Sequence, residues 1–185
     1  MAMADLRPGI LLVASPVLAD PNFFRSVVLL IDHDNDGSVG VVVDRPLDLD
    51  VRDHLPAWCE RLAPPARVFE GGPVQPETAI GVAHRPGIEA QETWRPTPDF
   101  VGFIDVSLDP NDIAGIEDLR IFSGYAGWGA GQLEMELDIG SWFPVEGSAD
   151  DIFDPVPATL WRRVLLRQQP YIARYANYPV DPRSN

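Results

Sequence analysis

Residues 32–37, Asp-His-Asp-Asn-Asp-Gly, place three carboxylates at alternate positions before a glycine, which is the spacing of the first half of an EF-hand calcium loop. The twelfth position of such a loop needs a bidentate glutamate, and this chain has Val43 there. A β-branched run, not a helical pattern, precedes the segment. The segment therefore predicts a β-hairpin turn, with weak binding of a hard cation by the three carboxylates as the alternative.

Residues 123–132 form a glycine-rich segment, Ser-Gly-Tyr-Ala-Gly-Trp-Gly-Ala-Gly-Gln, between a predicted strand and a predicted helix. A loop of this kind can present backbone N–H groups to an anion. The segment has no Gly-Lys-Ser/Thr ending and no G-x-G-x-x-G phase, so it is neither a P-loop nor a dinucleotide fingerprint. Tyr125 and Trp128 then have two interpretations: they form the wall of a ligand pocket, or they pack over the core.

Two further turns, at residues 44–46 and 70–73, stand at the ends of predicted strands, where α/β proteins often place their sites. Glycine loops coincide with strand ends at these positions, so we expect a ligand-binding site there. Its candidate residues are Asp44, Arg45, Gly71, Gly72, Tyr125, Gly127, Trp128, Gly129 and Gln132. An alternative is an enzyme acting on a small anionic substrate, in which Arg45 clamps the substrate and Asp44 is the base.

Side chains suited to covalent or metal chemistry are few. His33, His54 and His84 are far apart and none has the spacing of a zinc site. Cys59 could be a thiolate nucleophile with His54 as its base, but a small, buried, apolar thiol is the simpler interpretation. The chain has no lysine and no serine in a G-x-S-x-G elbow. We therefore assign no catalytic residue, no metal ligand and no cofactor, and we favour a binding protein over an enzyme.

The charge balance disfavours a general affinity for nucleic acid. Fourteen basic and 28 acidic side chains give a formal net charge of −14. A local basic cluster lies at the C-terminus, which leaves DNA binding as a third alternative; its arginines are Arg162, Arg163, Arg167, Arg174 and Arg183. Pairing of these arginines with the protein's own carboxylates is the favoured interpretation. The expected partner is an unidentified protein or a small anionic ligand.

Short runs rich in Val, Ile and Phe between glycines and prolines predict a mixed α/β (α+β) fold. The predicted strands are residues 10–15, 26–31, 39–43, 67–70, 78–84, 100–105 and 119–123. The predicted helices are residues 56–62, 110–116, 130–139 and 158–169. The second and third strands are apolar without alternation, so helices should cover both faces of the sheet there. Arg25, placed on the second strand, is expected at a strand edge with a carboxylate partner.

No composition shift, linker or repeat divides the chain. We predict one domain over residues 1–185, with its core over about 8–170 and peripheral termini at 1–7 and 176–185. A single cysteine argues for a reducing compartment, and no targeting or membrane segment is visible, so a cytoplasmic location is expected.

With these segments located, the chain resembles the YqgE/AlgH family of uncharacterised bacterial proteins over about residues 8–165. The glycine, tyrosine and tryptophan segment is the most specific part, because its pattern stands in one unbroken run. The matching segments are residues 9–16, Asp20, residues 24–28, 33–34, 40–46, 71–74, 124–129 and 131–134, Trp142, residues 152–154 and Trp161.

The resemblance implies one compact domain in which a curved, largely antiparallel sheet with a barrel-like part is surrounded by helices. It implies little about activity; the AlgH name refers to transcriptional regulation of alginate production. One position departs from the family: Asp44 stands where the family often has asparagine, so a carboxylate replaces an amide that can donate.

Overall fold

The computed structural model describes residues 6–180. Within that range the chain forms nine strands: β1 (Ile10–Ala14), β2 (Val27–Asp34), β3 (Gly37–Val42), β4 (Pro46–Asp50), β5 (Arg67–Glu70), β6 (Val74–His84), β7 (Val101–Ile104), β8 (Asp118–Gly129) and β9 (Trp142–Glu146). The α-helices are short: α1 (Gln132–Asp138), α2 (Ala149–Ile152), α3 (Leu160–Leu166) and α4 (Pro170–Ala173). Short 3₁₀ helices cover Val51–Asp53, Pro56–Arg61, Pro110–Asp112, Pro157–Thr159 and Arg174–Asn177.

The strands form one sheet in the order β4-β5-β8-β3-β2-β1-β9, with β6 paired to β8 and β7 paired to β6. Only the β5–β8 pair is parallel among the pairs in this part of the chain. The sheet is open, since β4 and β9 stand at opposite ends of the order, and the barrel-like part implied by the resemblance is therefore not closed.

Apolar side chains cover both faces of the sheet, as the unbroken apolar runs of β2 and β3 predict. Leu29 and Val41 point to one face, which we call the helical face because α2, α3 and α4 pack on it. Val28 and Val42 point to the opposite face, where Leu133 of α1 packs. The 3₁₀ helices at Val51–Asp53 and Pro56–Arg61 cover the rest of that opposite face, next to β5.

The hairpin prediction for residues 32–37 is confirmed, because β2 and β3 join through the two residues between Asp34 and Gly37. The Asp34 side chain accepts hydrogen bonds from the backbone N–H groups of Asp36 (2.8 Å) and Gly37 (3.2 Å). These bonds fix the turn locally. No cluster of three metal-ligating side chains suited to an ion occurs among residues 6–180.

The glycine-rich segment is a strand for most of its length, and its prediction as a loop after residue 123 is wrong. β8 continues to Gly129 because β3 pairs with it, Gly37 opposite Gly129 and Ser38 opposite Trp128. The helix that follows is confirmed as α1, while the helices predicted from 56 and 110 are short 3₁₀ turns. β4 and β9 were not predicted, because both lie at sheet ends and carry prolines that an edge strand tolerates.

Gly124 changes which side chains of β8 meet which face. Before it, Ile121 points to the opposite face and Phe122 to the helical face; after it, Tyr125 points to the helical face and Trp128 to the opposite face. A residue with φ of 70° makes this change, and that left-handed conformation suits glycine. Both faces can therefore carry a site on the same strand.

In the described part of the chain, no helix has the length and apolar character needed to cross a membrane.

Candidate functional site

The nine residues predicted as a site fall in four places. Asp44 and Arg45 lie at the end of β3, and Gly71 and Gly72 follow β5. Tyr125, Gly127 and Gly129 belong to the helical-face side of β8, whereas Trp128 and Gln132 lie on the opposite face with α1.

Arg45 fastens the turn that precedes β2. Its Nη1 donates to the carbonyl of Asn22 (2.5 Å) and its Nη2 to the carbonyl of Phe24 (2.9 Å). A Glu70 carboxylate oxygen lies 3.8 Å from Nη1. The guanidinium is thus engaged with the protein's own backbone and carboxylate.

Asp44, the neighbour of Arg45, is a half-buried carboxyl group. Its Oδ1 accepts a hydrogen bond of 3.2 Å from the backbone N–H of Val27. Burial raises the pKa of Asp44 to about 7, against the smaller lowering effects of the Val27 N–H and the Arg45 charge. This carboxyl group therefore changes its charge near neutral pH.

Arg25 lies in a turn with φ of 51°, and the prediction of a strand-edge arginine with a carboxylate partner is wrong. Its Nη2 donates to the carbonyl oxygen of Tyr178, and its guanidinium lies over the ring of Trp161, 4.9 Å from the centroid. A carbonyl and an aromatic face contact the cation in place of a carboxylate, while Nε is buried without a hydrogen-bond partner. The contact holds the segment at Tyr178 against the turn.

Gly71 and Gly72 allow two backbones to approach closely. A Cβ atom at Gly71 would lie 2.1 Å from the carbonyl oxygen of Gly124, and one at Gly72 would lie 2.2 Å from the carbonyl carbon of Tyr125. The Gly71 N–H donates to the carbonyl of Ser123 at 2.9 Å, so it is not offered to a ligand. Packing accounts for both glycines.

Trp128 belongs to a polar hub that the sequence did not reveal. One oxygen of Glu136 accepts hydrogen bonds from the indole N–H groups of Trp128 (2.9 Å) and Trp142 (2.8 Å), and the other accepts from the Gln132 amide (2.9 Å). Phe23 packs on both indoles. Trp128 is buried, so this arrangement corresponds to the aromatic packing alternative. The spacing of Gln132 and Glu136 on one helical turn was the available signal.

The three histidines lie apart. His33 Nδ1 lies 2.8 Å from the Ser38 hydroxyl, and its Nε2 lies 3.8 Å from Glu134. The side chains of His33, Ser38 and Glu134 link the β2–β3 hairpin to α1 on the opposite face, and Ser38 is buried. Cys59 Sγ contacts the Leu55 carbonyl at 3.8 Å.

A groove of about 340 Å³ lies on the opposite face, and we call it the bulge groove. Val68 and Ile121 form its floor, and Leu49, Val51 and Leu55 form one wall. Its size falls in the range of small-molecule sites.

A large β-bulge forms the second wall. In β6, Val74 pairs with Tyr125 and Ala79 with Ser123, so the four residues 75–78 stand opposite the single residue Gly124. Gln75 has φ of 46°, a conformation that non-glycine residues adopt rarely. The Ser123 hydroxyl donates a hydrogen bond to the Pro76 carbonyl, which ties the bulge to β8.

The polar groups of the groove are few and stand on different walls. They are His54, Glu77, Thr78 and Ser123. None of the nine predicted residues lines this groove, because β4 and the bulge leave no pattern in the sequence. Bulges are common beside binding and active sites, so the bulge groove is a candidate binding site.

The C-terminal arginines are largely engaged within the protein. Arg167 forms a two-bond pair with Asp151 (2.6 and 2.7 Å), and Arg163 pairs with Asp154. Arg162 donates to the side chain of Asn177. Arg183, which was counted in the basic cluster, lies outside the described residues.

Comparison with known proteins gives one consistent result. A family model described as AlgH-like matches residues 11–173. A UPF0301 protein of Streptomyces coelicolor is 49% identical over 182 residues, covering 96% of this chain and 94% of the relative. A UPF0301 protein of Thermobifida fusca is 41% identical over 190 residues, with 96% and 94% covered.

Two solved structures share the fold. A crystal structure of a Corynebacterium diphtheriae protein aligns with a TM-score of 0.89 at 27% identity and covers 96% of this chain and 95% of that one. The solution structure of the AlgH protein from Pseudomonas aeruginosa aligns with a TM-score of 0.63 at 29% identity, covering 85% and 86%.

Proposed function

The chain belongs to the AlgH-like family, and from that premise we propose that it is a non-enzymatic binding module whose bulge groove takes up a small, mostly apolar molecule. The observation that carries the proposal is the groove itself: an apolar floor between two walls, one of which is a strained bulge. A pocket with apolar walls and a few polar groups is the usual form of a small-molecule site.

The chemistry of the walls selects the ligand. Floor and near wall are aliphatic, so burial of apolar ligand surface supplies most of the affinity. The Ser123 hydroxyl already donates to Pro76, which leaves its oxygen free to accept, while His54 offers a ring nitrogen at the rim. The ligand that fits is an apolar body with one hydrogen-bonding group.

Regulatory use of this binding and a cytoplasmic location are part of the same proposal. A single, partly buried cysteine suits a reducing compartment.

Ala79→Phe should fill the groove, because Ala79 lines it and is exposed. We expect the dye 8-anilinonaphthalene-1-sulfonate to fluoresce brightly with the wild-type protein and at least fivefold less with Ala79→Phe. Ala114→Phe, at an exposed position outside the groove, is the matched control and should bind the dye as the wild type does. Equal fluorescence from wild type and Ala79→Phe, or none from the wild type, would contradict the proposal.

One observation favours a second candidate, an enzyme acting on a small anionic substrate. A carboxyl group with a pKa of about 7, such as Asp44, is suited to act as a base at neutral pH. Arg45, the expected clamp, is occupied by the carbonyls of Asn22 and Phe24, which places this candidate second. Turnover of a small phosphate or carboxylate ester that survives Asp44→Asn would remove it.

A further inference from the structure

One part of the helical face is less buried than the rest. Around β8 and the hairpin, Ile31, Phe103 and Tyr125 are only partly buried at the margin of the core, and Gly127 is exposed. Val39, opposite Gly127 in the sheet, is also half-buried. We call these five residues the glycine platform.

The fold does not require glycine at 127. At most of the strand glycines a Cβ atom would collide with backbone, and the nearest atom would lie 2.3 Å away at Gly37, 2.6 Å at Gly40 and 2.6 Å at Gly124. At Gly127 the nearest atoms are side-chain carbons of Tyr125 at 3.6 Å and Val74 at 3.9 Å, which are ordinary contacts. Its backbone is not left-handed either. Packing leaves this bare position unexplained, and a requirement for close approach by another molecule explains it.

Two adjacent cavities flank the platform and share Asp32. One, of about 330 Å³, is lined by Ile31, Phe103 and the segment 92–96. The other, of about 240 Å³, is lined by Asp32, Asp34, residues 36–39 and Trp128. Asp32, Val39 and Gly127 stand side by side on β2, β3 and β8, so the two cavities meet at Asp32 beside the platform.

The charged side chains of the two cavities are mostly acidic. Their linings contribute four carboxylates, from Asp32, Asp34, Asp36 and Glu92, and one cation, from Arg95. The whole chain carries a formal charge of −14, so the surrounding field has the same sign. Such a surface attracts cationic partners and repels phosphate backbones.

We propose that the glycine platform docks an extended, basic segment of a partner protein. An apolar side chain of that segment lies on Gly127 between Val39 and Tyr125, while flanking arginines or lysines reach Asp32 and Asp36. Arginine pairs with carboxylates through two hydrogen bonds, which favours it at these positions. This surface is separate from the bulge groove, so a result that contradicts one proposal does not contradict the other.

The test uses a fluorescein-labelled peptide of four Arg-Leu repeats, with a peptide of four Glu-Leu repeats for comparison, measured by fluorescence anisotropy at 50 mM NaCl. We expect the basic peptide to bind, the acidic peptide not to bind, and Gly127→Leu to weaken binding at least fivefold. The contacts of Gly127 leave room for a Cβ atom, and an unchanged melting temperature would confirm that the variant is folded.

A second pair of variants separates local contact from the general charge. Asp32→Asn combined with Asp36→Asn should weaken the basic peptide at least fivefold. Asp112→Asn combined with Asp138→Asn removes the same charge from exposed positions outside both cavities and should change binding less than twofold. Equal weakening by both pairs, no effect of Gly127→Leu, or absence of binding by the basic peptide would each overturn the proposal.

Discussion

Glu136→Ala should lower the free energy of unfolding by about 3–5 kcal/mol, because it leaves two indole N–H groups without an acceptor where each costs about 1–3 kcal/mol. Trp128 and Trp142 are buried and donate to the same Glu136 oxygen. Glu136→Gln keeps an acceptor and should cost less. Urea unfolding followed by tryptophan fluorescence measures both.

The matched control for this prediction is Asp138→Ala, on the same helix but exposed and without a side-chain hydrogen bond among those of residues 6–180. It should change the free energy of unfolding by less than about 0.5 kcal/mol. The indole N–H resonances of Trp128 and Trp142 should move in Glu136→Ala and stay in place in the control. A loss below about 1 kcal/mol for Glu136→Ala would show that the hub does not hold the aromatic cluster.

Asp44→Asn should stabilise the protein above pH 7. The pKa of Asp44 is raised from 3.8 to about 7 in the fold, so between those two values the folded state binds a proton that the unfolded state has lost. The wild-type protein therefore loses stability as pH rises from about 4 to 7, by up to about 3–4 kcal/mol, and the loss is complete above pH 7. Asparagine keeps an oxygen that can accept from the Val27 N–H without the buried charge.

The measurement is the difference in unfolding free energy between Asp44→Asn and wild type, taken at several values from pH 4 to 8. That difference should be near zero at pH 4, grow in favour of the variant up to pH 7, and then stay level. Asp36→Asn, at an exposed hairpin position, is the control for removal of a carboxylate. A flat curve for Asp44→Asn would contradict the raised pKa.

The sequence predicts the β2–β3 hairpin and α1 correctly, because residues within each element determine it. The apolar runs of β2 and β3 and the Asn-Asp-Gly turn between them predict the hairpin and its two covered faces, and the helix formers before Gly140 predict α1. Proline and aspartate in β4 and proline in β9 suppress the strand signal, and these strands form because neighbouring strands pair with them.

The site was harder to predict because it depends on which face each residue meets. Residues 124–129 form a strand and not a loop, so Tyr125 and Trp128, which stand three residues apart, point to opposite faces by strand alternation. The bulge groove arises because four residues of β6 stand opposite the single residue Gly124, a register that only the paired strands define. The glycine spacing predicts Gly127 as a site residue. Its contacts show that packing does not require glycine at this position, and the sequence does not reveal that.

The central claim is that the bulge groove binds a small apolar molecule, and an NMR titration of ¹⁵N-labelled protein with 8-anilinonaphthalene-1-sulfonate tests it most directly. We expect the shifted amide resonances to come from residues 49–55, 77–79 and 121–123, and to return to their free positions in Ala79→Phe. Shifts centred on the glycine platform or on Asp44 and Arg45, or no shifts at millimolar dye, would contradict the claim.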